Sequence, residues 1–128
     1  MGVVKRVLCR ERLRKVPPQF NWVDHRLVRD RYIERLTHKA AALYLFLITV
    51  ADSQGLSYYS DESICGRLAM NEASLDSARS ELRQTGLLAY KSPIYQVLPL
   101  GEASTAKRVA GEPMAIDEIF KRFVGGVQ

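Results

Sequence analysis

From residue 40 to residue 48 the chain reads "AAALYLFLI", nine residues with no charge and only the Tyr44 phenol as a polar group. A helix apolar nearly all round has no face to give to water, so it belongs at the centre of the core with the other elements wrapped around it. The run falls well short of the roughly 18 residues needed to cross a bilayer. Its limits are legible too: Thr37 is placed to accept from an orphan N–H as N-cap, and Gly55 follows shortly after the expected end of "THKAAALYLFLITVADSQG". With 128 residues the chain can build one real core but not two.

Around that helix the sequence places short elements. "LSYYS" suits a brief strand, and Ser60 caps a helix with Asp61 and Glu62 in its first turn and Ile64 and Leu68 facing inward. The break comes at "AMN", where Asn71 caps a second helix whose inward positions are Leu75, Ala78 and Leu82 and whose left-handed stop is Gly86. "LLAY", a tip at "KSP" and "IYQVL" make a hairpin directly afterwards. Upstream, Pro17 and Pro18 end an arm that fits neither period well; Phe20, Trp22 and Val23 are expected to plug the core, with a short helix over 24–36. Downstream, "GEASTAKRVAGEP" reads as a linker. "MAIDEIFKRFVGG" sets Ile116, Ile119, Phe120 and Phe123 on one face of an amphipathic helix. The divisions are therefore an arm over 1–18, a domain over 19–100, a linker over 101–112 and a terminal helix over 113–128.

The net charge of +5 favours a polyanionic partner, and its distribution says more. Residues 1–39 carry eleven Lys and Arg against four acids, residues 40–100 carry four against six, and the remainder balances. The excess therefore lies wholly in the N-terminal third. The second helix of the pair carries Glu72, Asp76 and Glu81 against Arg79 and Arg83, a poor balance for a helix meant to approach phosphates.

The order helix, short strand, helix, turn, helix, hairpin, carried by "LTHKAAALYLFLITVADSQGLSYYSDESICGRLAMNEASLDSARSELRQTGLLAY", resembles the winged helix-turn-helix domains of bacterial, plasmid and phage replication initiators and related regulators. The likeness covers residues 19–100 and rests on order and spacing. It implies a mainly α fold with a small β-hairpin, α+β in class, in which the second helix of the pair enters the major groove and the hairpin lies along the backbone. Carried over by position, the base-contact candidates are Asn71, Ala73, Ser74, Ser77, Ser80 and Gln84. A helical wheel sets Ala73, Ser77, Ser80 and Gln84 opposite the buried stripe. Serine reads either kind of base, so modest specificity for double-stranded DNA is expected.

Phosphate-contact candidates are Lys5, Arg6, Arg10, Arg12, Arg14 and Lys15 in the arm, with Arg67 and Lys91 at positions typical of the resembling domains. Arg26, Arg29 and Arg31 are balanced between backbone contact and pairing with Asp30 and Glu34. The alternative is a protein-interaction adaptor that uses the fold as scaffold and associates with a second copy or another protein through Ile116, Ile119, Phe120 and Phe123. No phosphate-cradling glycine loop, nucleophile motif or metal-ligand spacing occurs, so neither an enzyme, a metal site nor a cofactor is expected. Cys9 and Cys65 lie too far apart for a zinc motif and are expected to be reduced thiols. With no signal-like N-terminus, a cytoplasmic location without membrane association is expected.

Overall fold

The computed structural model describes residues 2–101. The terminal helix expected over 113–128, with Ile116, Ile119, Phe120 and Phe123, and all of the linker but Gly101 lie outside the described residues.

Four helices and a three-stranded antiparallel sheet make an α+β fold whose layout is compatible with a winged helix. In chain order they are α1 (Arg26–Arg29), α2 (His38–Val50), β1 (Leu56–Tyr58), α3 (Asp61–Leu68), α4 (Glu72–Gln84), β2 (Leu88–Lys91) and β3 (Ile94–Val97). Short 3₁₀ turns occur at Arg10–Arg12 and Ile33–Arg35. β3 is central: β2 pairs with it through the hairpin, and β1 lies on its other edge with Ser57 opposite Tyr95.

The caps read from the sequence are in place. The side chains of Thr37, Ser60 and Asn71 accept from the backbone N–H of Ala40, Ser63 and Ser74, each satisfying a donor that the first helical turn leaves orphaned. Between α3 and α4, Ala69 takes the left-handed conformation and lets Met70 N–H return to the Cys65 carbonyl at 3.1 Å, which makes the turn tight. Gly86 has the expected positive φ. Gly55 does too, and there a Cβ would stand 2.7 Å from the Val97 carbonyl oxygen.

α2 is the core helix, burying Ala40, Leu43, Tyr44, Leu47 and Ile48 against Leu75, Ala78 and Leu82 of α4 and against Ile64, Leu87 and Tyr95. Each fully buried Leu contributes roughly 1.5–3 kcal/mol through the water it sheds. Cys65 is half-buried and Cys9 exposed, and both are free thiols. Burial, with Glu72 adding to it, raises the Cys65 thiol above its ordinary pKa. No helix among the described residues is long and apolar enough to cross a membrane.

Two expectations are corrected. Phe20, Trp22 and Val23 do not plug the core: they remain 60%, 72% and 50% exposed. The reason lies between them, because Asn21 is the residue that reaches the domain, its amide donating to the Thr49 and Ala51 carbonyls at the end of α2. The helix expected over 24–36 is also broken. Arg31 has a φ of 67°, so α1 stops after one turn and a 3₁₀ turn carries the chain on to Thr37.

Candidate nucleic-acid interface

The exposed side of α4 is built by subtraction. With Leu75, Ala78 and Leu82 turned inward, Ala73, Ser77, Ser80 and Gln84 are left on the solvent side. Asn71 and Ser74 stand at the helix start with their oxygens engaged. Asn71 Oδ1 accepts Ser74 N–H at 2.8 Å, and Ser74 Oγ accepts from Lys39 Nζ at 3.0 Å. Lys39, on the first turn of α2, is thereby brought to the rim of the α4 face. The sequence reading assigned it no role, since its neighbour across the groove is 35 residues away.

The acidic residues that made α4 an awkward groove helix have other employment. Glu81 turns toward α2, where its carboxylate accepts both the backbone N–H and the hydroxyl of Thr37, an anion at the positive end of a helix. Asp76 pairs with Arg79 at 2.6 Å, and Asp61 of α3 pairs with the same guanidinium at 3.0 Å. Of the three acids on α4, Glu72 alone has no ion pair or side-chain hydrogen bond among the described residues. Arg83 is likewise unpaired there and exposed.

Arg79 itself is 8% exposed, a charged side chain within the apolar stripe. Its guanidinium also donates to the Tyr95 hydroxyl at 2.8 Å and lies 4.5 Å from the centre of the Tyr90 ring. Burial works against its charge, but the hydrogen bonds to Asp61 and Tyr95 outweigh that and raise its pKa further. One cation thus ties α3, α4 and both hairpin strands together. The sequence carried a signal for this: residue 79 falls four after Leu75 and three before Leu82, on the buried side of the wheel.

Arg67 is exposed at the end of α3, its Nε donating to Ser63 Oγ at 3.3 Å and its guanidinium 5.9 Å from the Tyr59 ring centre. Lys91 is exposed where β2 turns into the hairpin tip. The arm is a different case. Lys5, Arg6, Arg10, Arg12, Arg14 and Lys15 are all exposed, and none has an ion pair among the described residues. Among the described residues, nothing in the arm before Asn21 hydrogen-bonds to the domain; Cys9, Glu11 and Arg12 bond only around the Arg10–Arg12 turn. The arm is attached at the C-terminal end of α2, whereas Thr37 and Lys39, at the N-terminal end of α2, meet Glu81 and Ser74 of α4. Of the three arginines left balanced, Arg26 pairs with Asp24, Arg29 with Asp30 and Arg31 with Glu34.

No family model matches this chain, nor does any curated protein or solved structure.

Proposed function

We propose that the chain binds duplex DNA with modest sequence specificity, as a winged helix-turn-helix protein of a replication, mobile-element or regulatory system. The observation that carries this reading is the disposal of the α4 acids. With Asp76 and Glu81 committed to Arg79 and Thr37, the helix offers a small face with Glu72 as its unpaired acid and Lys39 at its rim, while Arg67 on α3, Arg83 on α4 and Lys91 on the hairpin are exposed. Ala73, Ser77 and Ser80 let the α4 backbone approach base edges closely. Gln84 and the Asn71 amide are the groups able to read adenine. Lys39, Arg67, Arg83, Lys91 and the six arm cations serve phosphates, which position a protein on the duplex and set its affinity without choosing a sequence.

The test is binding of the full chain to random duplex across a salt series. Log affinity is expected to fall linearly with log salt, by about 0.9 for each phosphate neutralised, and removing residues 2–16 is expected to make that slope shallower. An unchanged slope removes the arm from the interface. Ser77→Glu, which sets a carboxylate at the centre of the α4 face, is expected to weaken binding about ten-fold or more; unaltered binding would take α4 out of the groove.

The adaptor reading places association on the terminal helix, outside the described residues, and the arm adds to it an apolar surface in the exposed Val3, Val4, Val7, Leu8, Leu13 and Val16. A protein partner would cover such side chains and duplex phosphates would not. A chain that stays monomeric and binds duplex as above leaves that reading without a role.

A further inference from the structure

Leaving a phenyl and an indole ring in water is unfavourable, and the chain does so at Phe20 and Trp22 while holding the residue between them firmly. Asn21 is fixed by hydrogen bonds of 2.9 and 3.1 Å to two carbonyls of α2 and its C-cap. Pro17 and Pro18 restrict the incoming chain. On the other side Asp24 Oδ1 accepts the Arg26 N–H at 2.9 Å and its carboxylate pairs with the Arg26 guanidinium at 2.6 Å. The two rings are therefore displayed from an anchored loop. Among the described residues neither stacks on another ring or on a cation.

We propose that Phe20 and Trp22 form a stacking platform for unpaired bases, giving the chain a site for single-stranded nucleic acid separate from the α4 face. Exposed aromatic side chains beside a track of cations are what such a strand requires, because every base has a π-face and every linkage a phosphate. A duplex keeps its base faces against each other and offers nothing to an external ring. The Cα atoms of residues 20 and 22 stand at most about 7 Å apart. That is about twice the 3.4 Å rise of a stacked strand, a separation that two successive bases reach once the strand is unstacked, with one ring then serving each.

The charge around the platform selects a polyanion. Six arm cations upstream, Lys5, Arg6, Arg10, Arg12, Arg14 and Lys15, are exposed and have no acidic partner among the described residues, and phosphates supply the charge that they lack. The nearby acids are occupied: Asp24 by Arg26, and Asp52 by the backbone N–H groups of Gln54 and Leu56. This site stands whether or not α4 reads duplex.

Trp22 is the only tryptophan in the chain, so its fluorescence reports on the platform alone. Titrating the full-length protein with a short oligothymidylate is expected to quench Trp22 saturably, and Phe20→Ala to weaken that binding about ten-fold without lowering the melting temperature, since the ring is exposed. An abasic strand of equal length and charge is expected to leave the emission unchanged. Ser77→Glu is expected to leave the quenching intact while it weakens duplex binding. The proposal is overturned if the abasic strand or polyglutamate quenches as well as oligothymidylate does, because the ligand would then be any polyanion or an acidic protein. It is overturned equally if Phe20→Ala binds oligothymidylate with unchanged affinity, or if the oligonucleotide binds without altering Trp22.

Discussion

Arg79 is the one buried charged side chain among the described residues, and it joins α3, α4 and both hairpin strands. Replacing it with Met keeps the apolar stem but leaves Asp61, Asp76 and the Tyr95 hydroxyl without their shared donor. Because both carboxylates reach solvent and can rehydrate, the expected cost is about 2–3 kcal/mol, below the full penalty for splitting a wholly buried pair. Tyr95→Phe removes one hydrogen bond and is expected to cost about 1 kcal/mol; urea denaturation of both variants checks the ranking. Asp24 makes a second residue-scale prediction. Its hydrogen bonds with the Arg26 side chain, then with the Arg26 backbone N–H, hold its pKa at about 2 against an ordinary 3.8. A depressed carboxylate contributes stability above its unfolded pKa and loses it as pH falls through the folded one. The wild type is therefore expected to lose a part of its stability between about pH 4 and pH 2 that Asp24→Asn does not, as thermal melts across that window would reveal. At this scale the sequence was an uneven guide. Hydrophobicity placed Phe20 and Trp22 inside, because periodicity cannot register that the exposed Asn21 is the residue bonded to the end of α2. Arg79 was counted only among the charges of the helix, although its place on the wheel is on the buried side, and Asp61 and Tyr95 become its partners only with the fold.

At the scale of elements the sequence was far more informative, because caps and stops are local chemistry. Thr37, Ser60, Asn71 and Gly86 mark the boundaries they were expected to mark, each by a hydrogen bond or a positive φ that its residue type favours. The failure over 24–36 has a physical cause of the opposite kind. Arg31 sits in a left-handed conformation that residue type disfavours, so no local signal announced the break. How α2 meets α4 was equally hidden, since Glu81 and Thr37 are 44 residues apart. Glu81→Ala is expected to cost about 1 kcal/mol by removing the acceptor of the Thr37 N–H and hydroxyl at the cap of α2, with Glu81→Gln recovering part of it through its amide oxygen. Chemical denaturation of the pair would check this; equal stability of Glu81→Ala and wild type would mean that water caps α2 just as well.

For the molecule as a whole, the uneven spread of charge read from the sequence acquires a geometry. The segment that carries the arm's cations is anchored through Asn21, at the end of α2 farthest from Thr37 and Lys39. The α4 face and the aromatic loop are thereby kept apart by a single helix of 13 residues, about 20 Å long. α2 is in this sense a ruler. A ligand engaged at both of its ends has to span roughly six nucleotide steps of 3.4 Å, and inserting one helical turn into α2 would lengthen that span by a little under two.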